Sequence, residues 1–228
     1  MTDPLPPKLI KTLKSIDSPT ISNAIEPFKI RGRHEGYLGP EIECRYPEEG
    51  VMVGYAVTAK IMSIADDADT LIENRFAFFD AINNSPKPAV CVIQDISDNP
   101  RRASQWGEMM MTSCKVLGAV GVVTDGAIRD IEEIREIGGV QFFSPAVCVS
   151  HGQLAMVEVG TPVTISGCEI NPGDLLHGDI NGVVKIPLSI AEKMPEAVEE
   201  IRKREGGVLE GLKPGMSMEE FRKVWDYR

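Results

Sequence analysis

The sequence lacks the short patterns that assign many enzymes at once. It has no Gly-x-Ser-x-Gly elbow, no Walker phosphate loop and no Gly-x-Gly-x-x-Gly fingerprint. That excludes the standard serine-hydrolase, P-loop nucleotide and dinucleotide readings, and speaks against a Rossmann methyltransferase. Cysteine is sparse: Cys44, Cys91, Cys114, Cys148 and Cys168 are odd in number and contain no Cys-x-x-Cys pair. A disulfide frame and a thiolate zinc site are therefore disfavoured, and a reducing, cytoplasmic compartment is expected. Cys91 and Cys148 lie inside apolar runs and read as core thiols. The three histidines, His34, His151 and His177, are too scattered for a metal site, the last two lying near turns. No apolar run approaches the ~20 residues of a spanning helix, and Met-Thr-Asp-Pro does not open a signal peptide. Positive charge is short too. Against 34 acidic residues stand 24 basic ones, a net charge of -10, which repels a phosphate backbone and excludes a nucleic-acid partner.

What is present describes a folded α/β protein. Its 228 residues are 43% hydrophobic and 25% charged, enough for one sizeable core. One helix is expected from near Pro7 to Ile25, then an irregular stretch over Arg31–Gly50. Val53–Ile64 reads as a strand. Asp69–Ile82 reads as a helix with Leu71, Ile72, Phe76, Phe79 and Ile82 on one face. After the short strand Ala89–Ile93, a helix over Trp106–Leu117 is expected to bury Trp106, Met109, Met110, Ser113, Val116 and Leu117. Ala119–Thr124 is apolar almost throughout, as in a parallel strand covered on both faces. Asp125-Gly126 then leads into a helix with Ile128, Ile131, Ile134 and Ile137 inward, ended by Gly138-Gly139 and followed by a strand over Val140–Val147. That is a β-α-β unit of right-handed crossover. Beyond Gly152, short strands (Val157–Ile165, Asp174–Leu176, Gly182–Ile186) alternate with turns. The tail is helical, with Ser189–Glu192 and Ser217–Glu220 as expected capping boxes. The expected organisation is a single α/β domain over 1–188 and a helical extension, 189–228, packed on it or on a neighbouring subunit.

Ligands of open α/β sheets gather beyond the carboxyl ends of strands, which directs attention to the segment after Thr124. On a helix, Arg129, Asp130 and Glu133 share the face opposite the isoleucines. Such a face can hold a hard divalent cation while the arginine grips an anion, and it equally describes a solvated ion-paired helix. Gly107-Glu108-Met109-Met110 opens the preceding helix, where free amides suit a carboxylate or phosphate and where a turn glycine and a first-turn acid are also ordinary. Pro172-Gly173-Asp174 and Gly178-Asp179-Ile180-Asn181-Gly182 read mainly as hairpin turns.

Taken together, Val53-Gly54-Tyr55-Ala56-Val57-Thr58, Trp106-Gly107-Glu108, Gly118 through Asp130, Pro172-Gly173-Asp174 and Gly182-Val183-Val184 before Pro187 resemble one family in order and spacing. It contains the regulator of ribonuclease E activity A and 4-hydroxy-4-methyl-2-oxoglutarate aldolase, and its members have often been labelled demethylmenaquinone methyltransferases. The resemblance covers roughly Pro19 to Pro187. It implies a three-layer swivelling β/β/α-type fold and a homotrimer or hexamer with sites in clefts between subunits. Arg129-Asp130-Ile131-Glu132-Glu133 matches the aldolase branch, which the regulator branch typically lacks. The implied activity is that of a class II pyruvate aldolase: retro-aldol cleavage of 4-hydroxy-4-methyl-2-oxoglutarate-like 2-oxo acids, and oxaloacetate decarboxylation, through a pyruvate enolate stabilised by Mg²⁺ (or Mn²⁺ or Co²⁺). By the same resemblance Asp130, with Glu133, ligates the metal. Arg129 contacts the keto acid and Glu108 positions a water, while the Gly107, Met109 and Met110 region receives the carboxylate; Asp125 is a further catalytic candidate. The alternative is a non-catalytic trimeric regulator that binds a ribonuclease. This chain departs from the family pattern at Asn23, at Ser85-Pro86-Lys87-Pro88, and in the bulk of Met109-Met110-Met111 and Lys115.

Overall fold

The apolar run Ala119–Thr124 lies in the middle of a parallel sheet, between strands Ala89–Asp95 and Gln141–Ser144. The computed structural model describes residues 4–64 and 72–225. In chain order its strands are β1 (Glu43–Cys44), β2 (Met52–Met62), β3 (Ala89–Asp95), β4 (Ser104–Trp106), β5 (Ala119–Thr124), β6 (Ala127–Ile128), β7 (Gln141–Ser144), β8 (Ala146–Val147), β9 (Ala155–Val159), β10 (Val163–Ile165), β11 (Cys168–Ile170), β12 (Leu175–Asp179) and β13 (Gly182–Ile186). The helices are α1 (Pro7–Leu13), α2 (Ser18–Ile25), α3 (Ile72–Asn84), α4 (Glu108–Val116), α5 (Ile131–Ile137), α6 (Met194–Gly211) and α7 (Met218–Val224).

The large sheet runs β1-β7-β5-β3-β2-β12-β13. β2, β3, β5 and β7 are parallel, while β1, β12 and β13 join antiparallel. β2 is long enough to serve two partners on one edge: β12 pairs with Met52–Tyr55 and β9 with Ala59–Met62. On one face Phe78, Ile82, Met111, Cys114 and Ile134, from α3, α4 and α5, close a core around Cys91, Ile93, Val122 and Phe142. A second core joins α1, α2 and α6 to β2, β12 and β13. α6 contributes Met194, Ala197, Val198 and Ile201 to it, the spacing of one helical stripe. The β10–β11 hairpin covers a third cluster around Val90, Val123 and Phe143. A separate three-stranded parallel sheet, β4-β6-β8, lies beside the carboxyl ends of the main one. The α/β class is as expected.

Several local expectations are corrected. The first helix is two, because Asp17 caps a new start by accepting from Thr20 N at 2.9 Å. Trp106 ends strand β4 rather than opening a helix. Of the stripe expected over Trp106–Leu117, Trp106 is buried and Met110 and Leu117 pack against the core, but Met109 and Val116 are each 82% exposed and α4 buries Met111 and Cys114 instead; a run of three methionines supports more than one helical phase. Ile128 belongs to β6, and α5 starts only at Ile131. The strand expected over Val140–Val147 is broken into β7 and β8. Cys148 is only half-buried, and Ser189 lies inside a 3₁₀ turn (Leu188–Lys193) with no capping bond. The capping box at Ser217–Glu220 forms as expected. In the Asp69–Ile82 helix, Phe78 and Ile82 are inward and Phe76 is exposed; Asp69 to Leu71 lie outside the described residues.

His177, expected near a turn, is buried within β12. Its Nε2 lies 3.1 Å from Leu13 O and 3.0 Å from Ile16 O, and its Nδ1 lies 2.9 Å from Ser18 Oγ. Two carbonyl acceptors require a proton on Nε2, so Nδ1 accepts from the Ser18 hydroxyl. Asp179 completes the tie by accepting from Ser18 N at 2.8 Å. The α1–α2 corner is thereby fixed to the sheet. Burial pushes the His177 pKa below the ordinary imidazole value, against the opposing pull of the Leu13 carbonyl, Asp179 and the Ile16 carbonyl. A depressed imidazole pKa means the folded state holds the neutral form. Its contribution is complete above the unfolded value near ~6.5 and is lost as the pH falls below it toward the folded value. His177→Leu, which orphans these partners, is expected to lower the unfolding free energy by about 2 kcal/mol and to flatten its decline below pH ~6.5. Urea melts at two pH values measure both.

Candidate active site

Strand β4 brings Gly107 and Glu108 to Arg129 and Asp130. β6 pairs with it in parallel, Trp106 opposite Ile128, and Arg129 N donates to Trp106 O at 2.9 Å. Asp130 then takes a left-handed backbone, φ 58° and ψ 48°, a conformation that Asp tolerates better than most residues and that turns the chain abruptly. The Asp130 carbonyl accepts from Ile134 N and so starts α5. The turn carries the carboxylate back to the start of α4, where Oδ2 accepts from Glu108 N at 3.0 Å. One amide that the helix itself leaves unbonded is satisfied by a side chain 22 residues later. Arg129 Nε lies 3.5 Å from the same oxygen. Gly107 is required at this approach, since a Cβ there would collide with the Asp130 carboxylate.

These residues edge a cleft of about 550 Å³. Gly107, Met109, Met110, Arg129 and Asp130 line it, and so do Arg75, Phe79 and the segment from His151 to Leu154. The sequence-derived candidates thus fall into two groups. Arg129, Asp130, Gly107, Met109 and Met110 are brought together. Glu108 joins them through its backbone amide, while its side chain is exposed and outside the cleft lining. Glu133 is exposed on α5 and also outside the lining. Asp125 sits past the end of β5, where its Oδ1 accepts from Asp95 N at 2.8 Å. Burial, with the nearby Asp95 charge adding to it, pushes the Asp125 carboxyl up to about 6 against the pull of the Asp95 and Asp125 backbone hydrogen bonds and of Arg101. Arg75 and His151 escaped the sequence reading: one sits in a helix whose visible signal was its apolar face, the other in a loop without a motif.

Among the described residues no three His, Cys, Asp or Glu side chains converge as a metal cage. A tetrahedral protein-only site is therefore not built here. A hard octahedral cation asks for less, because Mg²⁺ keeps several waters and uses one or two carboxylates plus substrate oxygens. Asp130 meets that demand. Its Oδ2 is held by the Glu108 amide, and its Oδ1 has no protein partner among the described residues. Asp130 thus offers one free carboxylate oxygen of the kind a hydrated Mg²⁺ can take.

The chain is 30% identical over 173 residues to an uncharacterized protein of Methanocaldococcus jannaschii, covering 74% of this chain and 76% of that one. It is 26% identical over 223 residues to protein DlpA of Legionella pneumophila, covering 97% of this chain and 34% of that one. A protein of Halalkalibacterium halodurans named putative 4-hydroxy-4-methyl-2-oxoglutarate aldolase is 30% identical over 123 residues, 51% of this chain and 58% of that one. The chain thus spans about a third of DlpA and under two thirds of the aldolase-named relative. Among solved structures, an uncharacterized protein from Pseudomonas syringae shares the fold with a TM-score of 0.73 at 23% identity, covering 99% of this chain and 97% of that one. Streptomyces coelicolor RraAS2, described as an unusual member of the RNase ES inhibitor RraA protein family, shares it with a TM-score of 0.68 at 22% identity over 90% and 98% of the two chains. No helix among the described residues is long and apolar enough to cross a membrane. The family model RraA-like, described as Aldolase/RraA, matches residues 18–185, and the chain belongs to that family.

Proposed function

We propose that the chain is a divalent-metal-dependent oxo-acid lyase of the class II pyruvate aldolase type, cleaving 4-hydroxy-4-methyl-2-oxoglutarate-like acids and decarboxylating oxaloacetate. The observation that carries this reading is the Asp130 turn: a left-handed carboxylate residue anchored on the Glu108 amide, beside a guanidinium, at the edge of a cleft. Strained non-glycine backbone of this kind gathers at functional sites. Asp130, assisted by Glu133 through water, would hold Mg²⁺, Mn²⁺ or Co²⁺. Bound there, the ion supplies Lewis-acid polarisation of a 2-oxo group.

The remaining work falls to the chain's own groups. Arg129 binds the 2-oxo acid and offsets negative charge as the C–C bond breaks. The amides at the start of α4 receive the carboxylate. Glu108, exposed at the cleft's rim, takes the 4-hydroxyl proton through a water and returns it to the enolate. Met109 and Val116, two turns apart on α4 and each 82% exposed, support an arrangement in which a neighbouring subunit of a homotrimer or hexamer closes the cleft. Purified protein with Mg²⁺ is expected to release pyruvate from oxaloacetate or from 4-hydroxy-4-methyl-2-oxoglutarate, followed by coupled reduction of the pyruvate. Silence toward both acids with Mg²⁺, Mn²⁺ and Co²⁺, together with a stoichiometric ribonuclease complex, would replace this reading with that of a binding regulator.

A further inference from the structure

The cleft holds a second guanidinium. Arg75 lies on the first turn of α3 and lines the cleft, together with His151. Among the described residues no carboxylate comes within ion-pair distance of Arg75, nor does its side chain make a hydrogen bond. By contrast Arg129 already has Asp130 at 3.5 Å. Arg75 is not a loose surface residue either. The adjacent Asn74 donates through Nδ2 to Met156 O at 2.9 Å and Val157 O at 3.2 Å, fixing the start of α3 against β9. Two residues of this turn therefore have different uses, one locking the helix and the other lining the cleft with five donors that have no partner among the described residues.

Charge makes the arrangement more pointed. The chain as a whole carries -10, yet among the described residues the charged side chains lining this cleft are Arg75, Arg129 and Asp130, a formal 2 − 1 = +1 before His151 is considered. A half-buried guanidinium with no ion-pair partner among the described residues, in a cleft of an acidic protein, is poised for an anion, and its planar fork matches a carboxylate in bidentate fashion. Arg129 and Asp130 account for the 2-oxo end of a substrate, and Arg75 has no task there.

We infer that Arg75 is a specificity-determining residue that binds the distal carboxylate of the substrate, selecting dicarboxylic over monocarboxylic 2-oxo acids, with His151 as a neighbouring donor. The inference rests on the cleft being a 2-oxo-acid site. It can be tested separately by binding, without turnover. Calorimetric titration of the full chain in Mg²⁺ uses two uncleavable probes, 2-oxoglutarate with its second carboxylate and 2-oxobutyrate without one. Wild type is expected to bind 2-oxoglutarate more tightly. Arg75→Met is expected to weaken 2-oxoglutarate by about ten- to a hundred-fold, as for loss of a charge-assisted hydrogen-bonded pair, and to leave 2-oxobutyrate within about two-fold. Arg75→Lys, which keeps charge but not the fork, is expected to fall between. Equal weakening of both probes, or of neither, overturns the role of Arg75 while leaving the site reading in place. Failure of wild type to bind either probe overturns both. An unchanged circular-dichroism melt of each variant accompanies the titrations; a variant whose binding falls only in proportion to its unfolded fraction also counts against the proposal.

Discussion

Asp130→Asn is expected to cut pyruvate release on the order of a thousand-fold while leaving the melting temperature within a few degrees. Asparagine tolerates the left-handed backbone that residue 130 occupies, and its side-chain oxygen can still accept from Glu108 N, so the turn at φ 58° persists. What disappears is the negative charge. A neutral amide is a poor ligand for a hard dication, and Arg129 loses the carboxylate 3.5 Å away. The loss belongs to charge stabilisation of the developing enolate, for which single preorganised groups contribute ~10²–10³. Asp130→Ala discriminates less well, because it also orphans the Glu108 amide and places alanine in a left-handed conformation. Full activity in the asparagine variant would remove Asp130 from the metal assignment; equal loss of activity and stability would make it a structural cap.

Asp125→Asn is expected to make the protein more stable at neutral pH, by up to about 3 kcal/mol. The Asp125 carboxyl is raised from 3.8 to about 6, so between these values the folded state binds more protons than the unfolded one. Stability then falls as the pH rises through that window and stays reduced above it. About two units at ~1.36 kcal/mol each set the upper limit of the gain. Asparagine keeps the acceptor for Asp95 N and has no charge to desolvate. Urea melts of both proteins at pH 4 and pH 7.5 should nearly coincide at the lower value and separate at the higher. A catalytic Asp125 predicts something else, a loss of turnover of about 10²-fold or more on removing a proton carrier. Its position outside the cleft lining favours the stability effect with turnover within a few-fold of wild type.

The parts of this molecule legible in its sequence are those where one physical signal dominates. Ala119–Thr124 has no polar alternative and becomes an interior strand. Gly138, with φ 60°, ends α5 because few other residues adopt that conformation cheaply. Where signals competed, the reading slipped. Ile128, Ile131, Ile134 and Ile137 have helical spacing, yet the pairing of Ile128 with Trp106 adds a strand before the helix and delays it to Ile131. That delay is what frees Arg129 and Asp130 from a helix face and turns them toward α4. The Arg129–Asp130 pair was therefore found for its chemistry and placed on the wrong element. His177 and Arg75 were not visible, since neither the burial of one nor the isolation of the other is a property of neighbouring residues in sequence.

The double duty of β2 has a consequence for how the chain comes into being. Its partners Leu175–Gly178 follow Tyr55 by roughly 120 residues, and at about 5–20 residues per second a ribosome needs on the order of 6 to 25 s to deliver them. Throughout that interval half of one edge of β2, the apolar stretch Met52–Tyr55, has its backbone groups without their final acceptors and donors. The partner strand β3 is available once Asp95 has been synthesised, whereas β12 must wait. Nascent chains arrested between these points are expected to recruit holding chaperones, and synonymous changes that slow translation between residues 100 and 170 should lower soluble yield without altering the purified protein.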